Sequence, residues 1–175
     1  MVNTKIYCDT RQQAGKHKNI DGWFERHKIP YEYKKLDFGD YMVDGSNISV
    51  DTKRSMQEVC GNCGRGHARF VREIERARNA GYRLVILVEA CGYYSVRDVT
   101  KWTNKVCRNC EKRRMGFCNP VSSMGCSAGH RKPMTGATLS RIMETLEREH
   151  GVRFEFCHPS RTAARICELL GVEYK

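Results

Sequence analysis

Short strand-like runs alternating with amphipathic stretches predict an α/β protein, a mixed β-sheet flanked by helices, carrying a Cys-rich basic insert. Two features carry this expectation. Leu84-Val85-Ile86-Leu87-Val88 is a continuous apolar run, the mark of a central strand covered on both faces. Tyr41 to Val43 and Ile48 to Val50 flank Asp44-Gly45-Ser46-Asn47 and read as a β-hairpin, which adds an antiparallel pair to the alternating pattern.

Thr4 to Cys8 is the first strand, ending in Asp9-Thr10-Arg11 and a polar loop. Ile20, Trp23, Phe24 and His27 recur at spacings of three and four, which predicts a helix over Asn19 to His27, closed by Pro30. Tyr31 to Leu36 is the second strand and leads into the hairpin. After Lys53 come a short helix over Ser55 to Cys60, a Gly-rich break from Gly61 to Gly66, and a longer helix from His67 to Ala80, stopped by Gly81. That helix intersperses Arg69, Arg72, Arg76 and Arg78 with Glu73 and Glu75, the usual pattern of a solvated face. A short helix spans Val96 to Trp102, and the chain is otherwise loop-like from Gly92 to Pro133. A helix from Thr135 to near His150, a strand over Val152 to Cys157 and a helix over Ser160 to Leu170 follow. There is no internal repeat.

The 175 residues suit one domain spanning 1–175, since about 150 residues already bury roughly two-thirds of their unfolded surface. Lys and Arg number 31 against 20 Asp and Glu, a net charge of +11, which calls for an anionic partner, most commonly nucleic acid. No apolar run approaches the roughly 18 residues of a membrane span. Lys5-Ile6-Tyr7-Cys8 is strand-like where a signal peptide would be apolar, so a cytoplasmic protein without membrane association is expected. In that compartment the ten cysteines read as thiols and metal ligands, because disulfides are rare there.

The hairpin carries the candidate chemistry. Asp40 enters its first strand, and Asp51 and Lys53 lie two apart on its second, hence on one face. Two acids on neighbouring strands with an ammonium beside them can hold a divalent cation for phosphodiester hydrolysis. The acid-x-Lys triplet occurs three times, at Glu32-Tyr33-Lys34, Asp51-Thr52-Lys53 and Glu173-Tyr174-Lys175, and only the middle copy has a Gly-Asp hairpin partner. The competing reading makes Asp40 a turn acid, and Asp51 with Lys53 a solvated strand face.

With Cys8-Asp9-Thr10-Arg11, Gly39-Asp40-Tyr41, Val50-Asp51-Thr52-Lys53, Arg69-Phe70 and Cys157-His158-Pro159-Ser160-Arg161-Thr162-Ala163-Ala164 in place, the chain resembles the XPF-type nuclease domain. That family lies within the restriction-endonuclease-like PD-(D/E)xK superfamily. The compact form is similar to nucleases of phages and bacterial mobile elements. Three positions depart from the family: Thr52 stands for its arginine, Gln57 for an aspartate, with Glu58 beside it, and Gln12 for a glutamate. The resemblance implies a restriction-endonuclease-like fold and a DNA endonuclease of repair or recombination, in a bacterial or phage-infected cell. It implies Mg2+ or Mn2+ held by Asp40, Asp51 and the Thr52 carbonyl, with Asp9 as accessory acid and Lys53 as the catalytic ammonium. It assigns Arg11 and Arg69 to phosphates and branched or flapped DNA as substrate, and it is compatible with a homodimer.

Between about 103 and 134 the sequence reads Cys107-x2-Cys110-x7-Cys118-x7-Cys126-x3-His130 with few apolar residues. A structural zinc would supply the order that a core cannot, with the four cysteines as ligands and His130 as an alternative. Free thiols, a site shared with Cys60-x2-Cys63, and an iron-sulfur cluster are the other readings. From Lys101 to Pro133 eight basic residues face the single acid Glu111, which leaves +7 of the chain's +11 in this stretch. Lys112, Arg113 and Arg114 are its densest run and make the insert a candidate DNA clamp. The rival function is a non-catalytic nucleic-acid-binding module on a degenerate nuclease fold, and a second rival is a zinc-dependent interaction protein.

Overall fold

The computed structural model describes residues 4–11, 18–118, 126 and 132–174. Strand β1 (Ile6–Asp9) and strand β2 (Tyr31–Lys34) pair in parallel, joined through helix α1 (Lys18–Arg26). Strand β3 (Tyr41–Val43) runs antiparallel to β1 and, through the predicted hairpin, antiparallel to β4 (Ile48–Lys53), with Tyr41 opposite Val50. Strands β5 (Arg83–Glu89) and β6 (Arg153–Cys157) add in parallel, so the mixed six-stranded sheet has the order β2-β1-β3-β4-β5-β6.

Alternation along β4 and β5 divides the interior into two layers. Leu84, Ile86 and Val88 of β5 pack under α2 (Met56–Cys63), α3 (His67–Asn79) and α6 (Gly136–His150), through Val59, Phe70, Ile74, Leu139 and Met143. Val50 and Leu87 face the other way, with Ile6 and Cys8, onto Ile20 and Phe24 of α1 and Ile166 and Leu170 of α7 (Thr162–Leu170). Leu84 to Val88 are all buried, as a strand between two helical layers requires.

The structure differs from the sequence expectation at three places. Helix α2 continues through Gly61 to Cys63 and ends where the Gly64 N–H donates to the Cys60 carbonyl. A mid-helix glycine costs about 1 kcal/mol relative to alanine, which the burial of Val59, Cys60 and Cys63 on the core side of this helix offsets. Strand β2 stops at Lys34, two residues early, because the Leu36 N–H turns to the Asp9 carboxylate instead of a strand neighbour. The stretch expected to be loop holds two single-turn helices, α4 (Lys105–Arg108) and α5 (Glu111–Arg114). Among the described residues no helix is long and apolar enough to cross a membrane.

Candidate active site

Gly39 sits at φ +66°, the left-handed region that favours glycine, and a Cβ there would overlap the Ser49 hydroxyl on β4. Its smallness lets the chain press against β4, so that the Asp40 N–H donates to the Val50 carbonyl at 2.7 Å. The Asp40 carboxylate then accepts from Thr52 twice, from the backbone N–H at 2.8 Å and from the hydroxyl at 2.5 Å, both on Oδ2. Threonine at 52 thus clamps the neighbouring acid, a role open to a short hydroxyl side chain at that register.

Asp51 and Lys53 share the opposite face of β4 and are 4% and 8% exposed, so the solvated-strand reading does not hold. The Lys53 Nζ lies 2.5 Å from Asp51 Oδ2, a buried, charge-assisted ion pair. Burial pushes the Asp51 carboxyl up to about 7 against the pull of the Lys53 ammonium, and the charges of Asp40 and Glu73 push the same way. Burial acts to lower Lys53, but the Asp51, Asp40 and Glu58 carboxylates outweigh it and hold the ammonium charged.

This arrangement fixes a pH dependence. A carboxyl whose folded pKa is raised binds its proton more tightly in the native state, so stability falls as pH climbs from the ordinary carboxylate range through about 7. Thermal melts in chelator between pH 5 and 8 are expected to show that fall, and Asp51→Asn should flatten it. An unchanged slope in the variant would show that Asp51 is not the titrating group.

Glu73 of α3 was not legible as a site residue. It accepts from the Gly39 N–H at 3.4 Å and bears on the Asp51 charge, which places it at the acid cluster. The available signal is its position three residues after the buried Phe70, on the flank of the apolar stripe. Arg69 stands exposed one turn earlier on the same side of α3. Asp9 lies beside Asp40, its N–H donating to the Asp40 carbonyl at 2.9 Å. Its carboxylate, however, accepts from the Arg11 Nε at 3.0 and 3.2 Å and from the Leu36 N–H at 3.1 Å, and the Arg11 Nη2 donates to the Leu36 carbonyl. Arg11 therefore braces a loop in the arrangement shown. Lys112, Arg113 and Arg114 lie outside this group, on α5 of the insert.

On the other face of β4 a cleft of about 590 Å3 opens beside Thr52 and Arg54, walled by α1 and the start of α7. It gathers three cations that sequence reasoning did not group, Lys18, Arg26 and Arg54, with the Ser160 and Thr162 hydroxyls. Glu89, the one acid among the described residues of its wall, accepts from the Thr162 hydroxyl at 2.7 Å. The cleft lies by the carboxyl ends of parallel strands β4 and β5, where open α/β sheets place their ligand crevices.

The insert is tied to α2 at both ends. Gln57 accepts from the Lys105 N–H at 3.0 Å, and Cys60 meets Asn104 Nδ2 at 3.7 Å and the Met134 sulfur at 3.9 Å. Cys60 and Cys63 pack in the core, where burial raises both thiols, Cys63 to about 12. Cys107 and Cys110 are half-buried and reduced, as is Cys126, while Cys118 is exposed. Partial burial raises the Cys107 thiol, Arg113 opposes it, and Cys118, Cys126 and Cys110 add to it. Gln12 and His130 lie outside the described residues. Among the described residues no three Asp, Glu, His or Cys side chains converge closely enough to hold a metal ion as they stand.

In comparisons with known proteins, no family model and no curated protein matches the chain.

Proposed function

We propose that the chain is a Mg2+- or Mn2+-dependent endonuclease that hydrolyses DNA phosphodiester bonds, with the restriction-endonuclease-like fold of the XPF-type domain that its motifs resemble. The observation that carries this reading is the buried Asp51–Lys53 pair, with Asp40 clamped to the same strand through Thr52. An enclosed cluster of acids has no structural use for its mutual repulsion, whereas a divalent cation would relieve it. Asp40, Asp51 and the Thr52 carbonyl are hard oxygen donors of the kind such a cation takes, and are the groups that would hold it.

When bound, the cation polarises a phosphoryl oxygen and lowers the pKa of a water. The chain's own residues supply the rest. Thr52 fixes the Asp40 carboxylate, and Asp51 keeps the Lys53 ammonium beside the reacting phosphate, where it orients the attacking water and offsets the charge that develops. Lys18, Arg26 and Arg54 line the cleft on the Thr52 face of β4 and suit the backbone phosphates of a strand. A non-catalytic binding module draws on one observation, the engagement of Asp9 by Arg11 and Leu36, and absence of turnover in the assay below would favour it.

Phosphate contacts position a protein without reading bases, so shape is expected to select the substrate. The test is cleavage of flap, fork, four-way junction and matched linear duplexes, each in two unrelated sequences. Preferential cutting of branched forms in both sequences supports the reading. Equal cutting of all shapes in one sequence and none in the other would identify a sequence-reading enzyme.

We propose one structural zinc for the insert, supported by Cys107-x2-Cys110 with Cys118 and Cys126 in a segment where few apolar residues are available. Elemental analysis of protein purified without added metal is expected to find one zinc per chain, lost in the Cys107→Ser, Cys110→Ser double variant. Visible absorption from an iron-sulfur cluster, or a folded insert free of metal, would contradict it.

A further inference from the structure

Three of the five large hydrophobic side chains exposed among the described residues lie within residues 106–117: Val106, Met115 and Phe117, the last 77% exposed. Phe117 is nonetheless firmly placed. Helix α5 is closed by Gly116 at φ +78°, with the Phe117 N–H donating to the Lys112 carbonyl at 2.8 Å and the Gly116 N–H to the Arg113 carbonyl at 3.2 Å. This is the Schellman closure, in which the residue after the glycine packs back on a hydrophobic residue three or four positions inside the helix. Here those positions are Lys112 and Glu111, so the closure fixes the backbone and offers the ring no apolar partner at those two positions.

We infer that Phe117 is a stacking residue for an unpaired base, so that the insert recognises DNA where duplex gives way to single strand. The inference rests on the DNA-directed reading above and names the feature of the substrate that the insert senses. Lys105, Arg108, Lys112, Arg113 and Arg114 stand on α4 and α5, in the stretch that leads to Phe117, against the single acid Glu111. A nucleic acid supplies both complements, phosphates for the cations and a π-face for the ring. Within an intact duplex the base faces are covered by their neighbours, so the ring gains its contact only at an unstacked position.

The experiment uses the full chain carrying Asp51→Asn, titrated into a flap bearing 2-aminopurine at the unpaired step and into the matched duplex. Phe117→Ala is expected to lower flap affinity roughly 5- to 150-fold, the range that base–aromatic stacking covers, and to remove the fluorescence change, with far less effect on the duplex. Phe117→Trp should restore both. Equal loss on flap and duplex, or no loss on either, would overturn the inference. So would Phe117-dependent binding to anionic vesicles with no binding to the flap, or a dimer dissociated by Phe117→Ala at unchanged flap affinity. Cleavage by the chain with Asp51 intact is measured in parallel. A chain that fails to cut while Phe117→Ala still weakens the flap counts against the nuclease reading and supports the stacking role.

Discussion

Asp51→Asn is expected to abolish cleavage, by about 1,000-fold or more, while the protein still folds and binds DNA. Removing one group that stabilises transition-state charge costs on the order of 100- to 1,000-fold, and here the same change also removes a negative ligand from the proposed cation site. Asparagine keeps the shape of the side chain, so the strand register that sets Asp51 opposite Ile86 on β5 is preserved, and the Lys53 ammonium it leaves still feels the Asp40 and Glu58 carboxylates. The loss should appear in turnover, and DNA affinity, set by cations elsewhere, should hold. Salt-dependent binding by fluorescence anisotropy separates the two. A variant that cuts at the parental rate would show that this carboxylate is not in the reaction.

Lys53→Ala carries the second large effect, on stability as well as rate. Breaking a buried ion pair by removing one partner costs about 3–5 kcal/mol, because the remaining charge is left uncompensated. Asp51, already pushed up to about 7 with its ammonium present, would lose that ammonium and still face Asp40 and Glu73. It can escape by taking up a proton, so the loss should be smaller at pH 6 than at pH 8. Chemical denaturation at the two pH values checks this, and Lys53→Met, which keeps the packing without the charge, should behave like alanine in turnover. Equal stability of Lys53→Ala and parent at pH 8 would refute the ion-pair account.

The coarse architecture was legible because burial writes itself into periodicity. Leu84 to Val88 and the hairpin about Asp44–Asn47 are found where their patterns place them. Gly39-Asp40 was legible as a motif, and the overlap a Cβ would make at Gly39 supplies its physical reason. Other features were hidden because their signal is ordinary. Glu73 is one charge in an Arg/Glu-rich helix, and only the packing of α3 brings it to Gly39. Lys18, Arg26 and Arg54 come from α1 and the end of β4, far apart in sequence, and meet only across the cleft. Gln57 looks like a lost acid, yet it anchors the start of the insert. Cys60-x2-Cys63 has the spacing of a metal half-site, but both thiols pack as small apolar groups, the commonest use of a buried cysteine.

The central claim is tested most directly by incubating the chain with a flap DNA in chelator, in Mg2+ and in Mn2+, and following strand cleavage on a denaturing gel. Cleavage in either cation and none in chelator is the predicted result. Cleavage that persists in chelator, or DNA binding without any cleavage under all three conditions, would contradict it.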